Sequence, residues 1–226
     1  FEEGMKFQYP PLSILPFVYF IEAGWNWEEI REFMNTVSFV SIFLIMLVVY
    51  KVAEIIFNDH LDGKRLDWRY RVSIFAIAVI GTLGFDAIIR GQYLGQVQVL
   101  LDFLTALSFL LFLTNRKYFA GGCIAVASLV KPQFSLIFFW ALIRKDKEIM
   151  IGMLAIFIPA GVLSLYHFGF DEHLRYVETL SMMGRHGESY WPNQSINGLL
   201  HRLISDIDPL VFLSLIHISE PTRPSQ

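Results

Sequence analysis

Long apolar runs recur along this chain, and they constrain its fold more than any other feature. Four segments, residues 36–57, 72–89, 97–114 and 150–168, are almost continuously hydrophobic. A helix of about 20 such residues crosses a hydrocarbon core of about 30 Å. Hydrophobic residues make up 54% of the chain, which is more than a soluble domain usually carries. The sequence therefore predicts an all-α, multi-pass transmembrane helical bundle.

Two further apolar segments do not fit a simple crossing. Residues 12–23 are too short to span, and two tryptophans follow within residues 25–29, as is common at a membrane–water interface. Residues 119–143 are long enough, but a Lys-Pro-Gln tripeptide interrupts them at residues 131–133. We expect residues 12–32 to form a juxtamembrane or re-entrant helix, and the later segment to form two short helices.

The basic residues predict the topology. Lysine and arginine are concentrated in residues 58–71, 116–117 and 144–147, and the positive-inside rule places such clusters in the cytoplasm. Because the last two clusters flank residues 119–143, that segment must enter the membrane and return, with residues 131–133 at its tip. The remaining polar segments then share the non-cytoplasmic face with this tip: residues 9–11, 90–96 and 169–209.

Lys131 is the strongest candidate for a functional residue. Placing a cation between two apolar stretches at mid-membrane costs about 2.5–3.5 kcal/mol of insertion free energy. We therefore expect Lys131 to have an anionic partner. Lysine commonly binds phosphate as a point charge, and Pro132 breaks the helix here and opens a polar tip. The alternative is a lysine that extends its stem to the interface without a ligand.

Two polar segments have the composition of a sugar-binding surface. Residues 90–98 form a predicted loop with three amides and two glycines, and amides can both donate to and accept from sugar hydroxyls. Residues 186–195 combine aromatic rings, amides, a carboxylate and an imidazole. Each segment also has a purely structural interpretation. The first could be an ordinary helix connection, and residues 193–195 could be a helix cap.

Other chemistry has little support in the sequence. The histidines lack metal-ligand spacing, and no glycine-rich nucleotide-binding loop is present, so we expect no metal and no cofactor. A net charge of −3 without a basic tract argues against nucleic acid. Asp86 and Arg90 are four residues apart and should pair. Asp102 lies in an apolar helix and is either functional or paired with a neighbouring helix.

Taken in order, the polar motifs resemble those of glycosyltransferase family 87. The residues that carry the resemblance are Tyr9-Pro10-Pro11-Leu12, Gly95-Gln96-Val97-Gln98, Lys131-Pro132, and residues 193–203, which read Asn-Gln-Ser-Ile-Asn-Gly-Leu-Leu-His-Arg-Leu. These proteins are polyprenyl-phosphate-mannose-dependent mannosyltransferase-like membrane enzymes of the GT-C class. Gln98 departs from the pattern, because the family usually has a shorter amide, asparagine, at this position.

The resemblance implies a reaction and its substrates. A sugar such as mannose would pass from a polyprenyl-phosphate donor to a glycolipid or polysaccharide acceptor, on the outward face of a bacterial plasma membrane. The carboxylate that acts as general base would precede Phe1, so no catalytic residue is expected within this chain. Lys131 would stabilise the departing phosphate, with His186 or Arg202 assisting. The expected substrate-binding residues are Tyr9, Gln92, Gln96, Lys131, His186, Glu188, Tyr190, Asn193, Gln194, Ser195 and Arg202.

The sequence also leads to predictions about the two ends of the chain. Residues 1–212 are expected to form a partial GT-C transmembrane domain that is truncated at both ends. Residues 213–226 resemble the translation of a sequencing-library adaptor, and we expect them to be non-native.

A transporter or lipid flippase is the main alternative, since it would also combine a broken helix with a buried lysine. It predicts two pseudo-symmetric halves, and the sequence has no visible internal repeat. A non-catalytic assembly factor is a third interpretation, but it would not need Lys131 at a membrane tip.

Overall fold

The computed structural model of the protein describes residues 9–60, 67–93 and 95–186, except for the side chains of residues 60 and 182–186. Within these ranges every regular element is helical, so the all-α prediction is confirmed. The helices are α1 (Leu15–Glu22), α2 (Trp27–His60), α3 (Trp68–Gly84), α4 (Asp86–Tyr93), α5 (Gln98–Leu113), α6 (Lys117–Val130), α7 (Leu136–Ile143) and α8 (Lys147–His186), with short 3-10 helices at Pro11–Ile14 and Pro132–Ser135.

The chain divides into two compact units, one of which comprises residues 9–168. The described part of the other begins at Gly169, where the backbone of α8 leaves the helical conformation with φ 70° and ψ 173°. After this break, Nδ1 of His173 lies 2.7 Å from the Gly169 carbonyl oxygen, and Arg175 donates to Glu172 at 2.8 Å. These local contacts support the first turns of the helix after the break.

Two described helices are long and apolar enough to cross a membrane: Trp27–Asp59 within α2, and Lys147–Ser181 within α8. The helices α3 and α4 reach that length only together, and they are bent by 54° at their junction. α5 has 16 residues, so it rises only about 24 Å. The first and last of the four predicted crossings are therefore membrane-length helices, while the second is a bent pair and the third is shorter.

The start of α2 corrects one prediction. Residues 12–32 were expected to form one helix on the outer side, but α1 ends at Glu22 and α2 begins at Trp27. The reason is a capping box. The side chain of Asn26 accepts from the backbone N–H of Glu29 at 3.0 Å, and the Glu29 carboxylate accepts from the Asn26 N–H at 2.8 Å. These reciprocal bonds satisfy free donors at the helix start, so the helix begins before the apolar run.

The prediction that residues 90–96 form a loop is also largely wrong. Residues 86–93 form α4, and the described turn before α5 is confined to residues 95–97. Arg90 pairs with Asp86 at 2.6 Å, as expected, and this pair one turn apart supports the helix. Gly95 has φ 61°, a conformation that favours glycine, so the backbone is no longer in the right-handed helical region at this residue.

The predicted hairpin at residues 119–143 is confirmed in its geometry. Lys117, at the start of α6, contacts Asp146, just after α7, at 2.8 Å. Both ends of the segment therefore lie together, and Pro132–Ser135 forms the turn at the far end. A buried cluster joins α6, α7 and α8 along the hairpin; its members are Ile124, Ala125, Ala141, Ile149 and Met153.

Two glycines bring α6 and α8 very close. A Cβ atom at Gly121 would lie 2.3 Å from the carbonyl oxygen of Ile149, and one at Gly152 would lie 2.0 Å from that of Tyr118. The contact is reciprocal, since each glycine meets the backbone three residues before the other. Small residues at such crossings let membrane helices pack backbone to backbone.

The helices α2, α3 and α5 complete this unit. Glu54 of α2 pairs with Lys51 at 2.7 Å and with Arg71 of α3 at 3.5 Å. Near the middle of α2, an apolar cluster of Ile42, Ile45, Ile88 and Val99 joins it to α4 and α5. The start of α5 is thus held against α2, beside the turn at Gly95.

Candidate functional site

Lys131 lies where α6 ends and the hairpin turns. Its backbone is extended, with φ −124° and ψ 98°, because a residue before proline is driven out of the helical region. Its N–H still donates to Ala127 at 3.0 Å, and its carbonyl accepts from Phe134 at 3.1 Å. The N–H and the carbonyl of Lys131 are therefore both hydrogen-bonded at this break.

A chain of three polar side chains begins at this lysine. The Lys131 ammonium donates to Oε1 of Gln98, and Nε2 of Gln98 donates to Oδ1 of Asp102 at 2.6 Å. The two residues on α5 are four apart and therefore share one face of the helix. Since α5 and α6 run antiparallel after a short turn, the start of one lies beside the end of the other.

The charge on Lys131 is held by a neutral partner. Its hydrogen bond goes to an amide, and it forms no ion pair with any carboxylate among the residues described. A lysine ammonium has three N–H donors, so further donors are available to a ligand. The half-buried position and the neutral partner suit an ammonium that binds an anion.

The same α5–α6 contact is fixed at its other end. Ser108 is buried and its hydroxyl donates to the carbonyl of Ala120 at 2.9 Å. The register that pairs residue 108 with residue 120 also brings residue 98 beside residue 131. The site is therefore supported by rigid helix packing rather than by a loop.

The other predicted amides take different positions. Gln96 is exposed in the turn, and its backbone N–H donates to Gly91 at 2.9 Å. Gln92 belongs to α4, and its Oε1 is buried with no hydrogen-bond partner in the described part of the chain. Neither joins the chain of hydrogen bonds from Lys131. The Asn35 side chain of α2 lies 3.8 Å from where a Cβ on Gly95 would be, so the turn carries a further amide.

Tyr9 is half-buried just before the Pro11–Ile14 turn, and that turn packs against α6. The remaining predicted residues are not tested by the structure. The side chain of His186 lies outside the description, and so do all atoms of Glu188, Tyr190, Asn193, Gln194, Ser195 and Arg202.

Gln98 and Asp102 were not among the predicted binding residues, although both were noticed in the sequence. For Asp102 the expectation was either a function or a partner on a neighbouring helix. The structure gives it a partner on its own helix, Gln98, which then reaches the neighbouring helix through Lys131. The spacing of four residues at a helix start is the signal that could have linked the pair.

The cytoplasmic end predicted for the hairpin is stabilised by charge. Lys117 donates a hydrogen bond to Asp146, and this contact holds the pKa of the Asp146 carboxyl below its usual range. The carboxylate also accepts from the backbone N–H groups of Ile149 and Glu148 at the start of α8, where the helix dipole favours a negative charge.

Fold and site together define a helical membrane protein with a lysine–amide–carboxylate cluster at a broken helix. The sequence profile of Glycosyltransferase family 87 matches residues 7–218, nearly the whole chain. The chain belongs to this family, and it is therefore a membrane glycosyltransferase. No curated protein and no solved structure gives a significant match to it.

Proposed function

We propose that this glycosyltransferase takes its sugar from a polyprenyl-phosphate donor and transfers it to a glycolipid or polysaccharide on the non-cytoplasmic face of a bacterial membrane. Mannose is the sugar that the family resemblance favours. The observation that carries the proposal is Lys131, a charged side chain at a break between two apolar helices. It is held by a neutral amide and not by any carboxylate of the described residues. Such a residue suits a phosphate at the edge of the hydrocarbon core.

The role of Lys131 follows from the chemistry of the leaving group. When the bond between the anomeric carbon and the phosphate oxygen breaks, negative charge grows on the lipid phosphate. A cation fixed beside that oxygen stabilises the charge more in the transition state than in the bound donor. The acceptor hydroxyl loses its proton to a carboxylate that acts as general base, and it attacks with inversion.

The orientation is supported by pairs of contacts at the two ends of the helices. Lys117 and Asp146, and likewise Glu54 and Arg71, meet where basic residues are concentrated. This concentration of basic residues favours the cytoplasmic side. At the other end, Tyr19 of α1 hydrogen-bonds to His167 of α8 at 3.2 Å. The site at Lys131 belongs to this second end, since α6 runs away from Lys117.

Sugar contacts are assigned to the polar residues on the same side. Gln96 is exposed in the turn before α5, and its amide can pair with hydroxyls. The segment 186–195 remains our prediction for further sugar contacts, with His186 or Arg202 assisting at the phosphate. A transporter or flippase is not favoured, because the family to which the chain belongs is one of transferases.

The test is transfer of labelled sugar from polyprenyl-phosphate mannose by the full-length protein in membranes. Lys131→Met keeps the volume of the stem and removes the charge. We expect turnover to fall by about two to three powers of ten, and Lys131→Arg to restore it only in part, since a planar fork does not replace a compact ammonium. Lys147→Met is the matched control, because Lys147 is exposed at the opposite end of the hairpin. Near-normal turnover of Lys131→Met, with normal expression, would refute the proposal.

A further inference from the structure

Gln98 lies between two opposite charges that do not contact each other. Its Oε1 accepts from the Lys131 ammonium, and its Nε2 donates to the Asp102 carboxylate at 2.6 Å. The orientation of this amide follows from chemistry, because an ammonium offers no acceptor and an ionised carboxylate offers no donor. Turning the amide over would place donor against donor and acceptor against acceptor.

A direct ion pair between Asp102 and Lys131 would occupy the ammonium that we propose binds the phosphate. Asp102 lies one hydrogen-bonded amide away from the Lys131 ammonium, and lysine has a flexible stem that can follow a nearby anion. A carboxylate bonded directly to the ammonium would have to be displaced before a phosphate could bind. With the amide in place, the anion remains close enough to balance the charge while the ammonium keeps further donors for a ligand.

We propose that Gln98 is a spacer and positioning residue that holds the Lys131 ammonium off Asp102 and so keeps it available to a lipid phosphate. This rests on the proposed function, in which Lys131 binds the donor phosphate. Asp102 has two effects in this arrangement: it anchors the amide, and it becomes a competing anion whenever the amide is lost.

The competition can be measured by binding of labelled polyprenyl phosphate to the full-length protein in phosphatidylcholine nanodiscs. Gln98→Leu removes both hydrogen bonds and lets Lys131 pair with Asp102, so we expect about tenfold weaker binding. The double variant Gln98→Leu/Asp102→Asn removes the competing charge as well, so binding should recover to within about threefold of the unsubstituted protein. Gln133→Leu, at an exposed amide in the hairpin turn, is the matched control and should bind normally.

Recovery in the double variant separates the spacer from a merely structural role. If Gln98 only supported the packing of α5 against α6, the double variant, which also loses the Asp102 carboxylate, would bind polyprenyl phosphate as weakly as Gln98→Leu or more weakly. That result would refute the proposal that Gln98 is a spacer. Gln98→Met, which keeps the length of the side chain, replaces Gln98→Leu in both variants if the latter fails to fold.

Lys131→Met in the same assay separates the two proposals. Loss of binding in Lys131→Met without recovery in the double variant refutes the spacer and leaves the proposed function standing. Unchanged binding in Lys131→Met refutes the proposed function itself, and the spacer with it.

Discussion

The crossing of α6 and α8 makes a quantitative prediction about stability. An alanine Cβ at position 152 would lie 2.0 Å from the carbonyl oxygen of Tyr118, whereas close C···O contacts in proteins are about 3.3 Å or longer. The two backbones would have to separate by about 1.3 Å to restore that distance. The obstacle is helix backbone rather than the end of a flexible side chain, so it cannot simply rotate away. Overpacking of this kind costs about 1–3 kcal/mol.

Thermal unfolding of the purified protein in detergent, followed by tryptophan fluorescence, measures this cost. Two matched controls lie on the same pair of helices. Alanine at Gly161 of α8 meets nothing within 4 Å, and alanine at Gly122 of α6 meets only a carbonyl at 4.0 Å. Because alanine favours helix over glycine by about 1 kcal/mol, neither control should lose stability. We expect Gly152→Ala to melt about 5 °C or more below Gly161→Ala.

A Gly152→Ala protein that melts at the same temperature as the two controls would contradict this expectation. It would mean that α6 and α8 do not meet at these glycines. The buried cluster of Ile124, Ala125, Ile149 and Met153 would then lose its structural basis, and so would the position of the hairpin that carries Lys131.

Two further predictions concern the hairpin. The pKa of Asp146 is lowered mainly by its hydrogen bond from Lys117. This pair therefore stabilises the fold fully at pH values above the unfolded-state pKa of about 3.9. The stabilisation is lost as the pH falls through the lower pKa that Asp146 has in the folded state. The stability gap between the unsubstituted protein and Asp146→Asn should therefore be constant from pH 7 to 5 and close below about pH 4; a gap that is constant down to pH 3 would contradict it. In a background with Cys123→Ser, a cysteine at Gln133 should react with an impermeant reagent from outside the cell and one at Lys147 should not, and the opposite pattern would invert the proposed topology.

Local rules predicted the break at Lys131 well. A proline excludes the preceding residue from the helical region whatever surrounds it, and φ and ψ of Lys131 follow that rule. The return of the chain after the break was predictable from the basic residues at both ends, because charge distribution acts over the whole segment. The contact between Lys117 and Asp146 agrees with it.

Helix boundaries were harder to predict, since polar composition was interpreted as loop. Residues 90–93 are polar or small, yet the pair Asp86–Arg90 and the packing of Ile88 keep them in α4. The early start of α2 was missed because Trp25 and Trp27, just before the helix and at its first residue, were assigned to the interface. The capping box between Asn26 and Glu29 was the better signal.

The partner of Lys131 could not be predicted from spacing along the chain alone. Gln98 is 33 residues away from it, and the pair forms only because α5 and α6 pack with a particular register. Asp102 differs in this respect, because its partner Gln98 lies four residues earlier on the same helix and could have been found from that spacing. Tertiary packing decided which of the amides at the start of α5 became part of the site.

A cryo-electron microscopy structure of the full-length protein with polyprenyl-phosphate mannose bound would show directly whether Lys131 binds the donor phosphate. We expect a phosphate oxygen at about 2.7–2.9 Å from Nζ of Lys131, with Gln98 still between the lysine and Asp102. A donor phosphate bound by other residues, with Lys131 either paired to Asp102 or directed to the surrounding lipid, would contradict it.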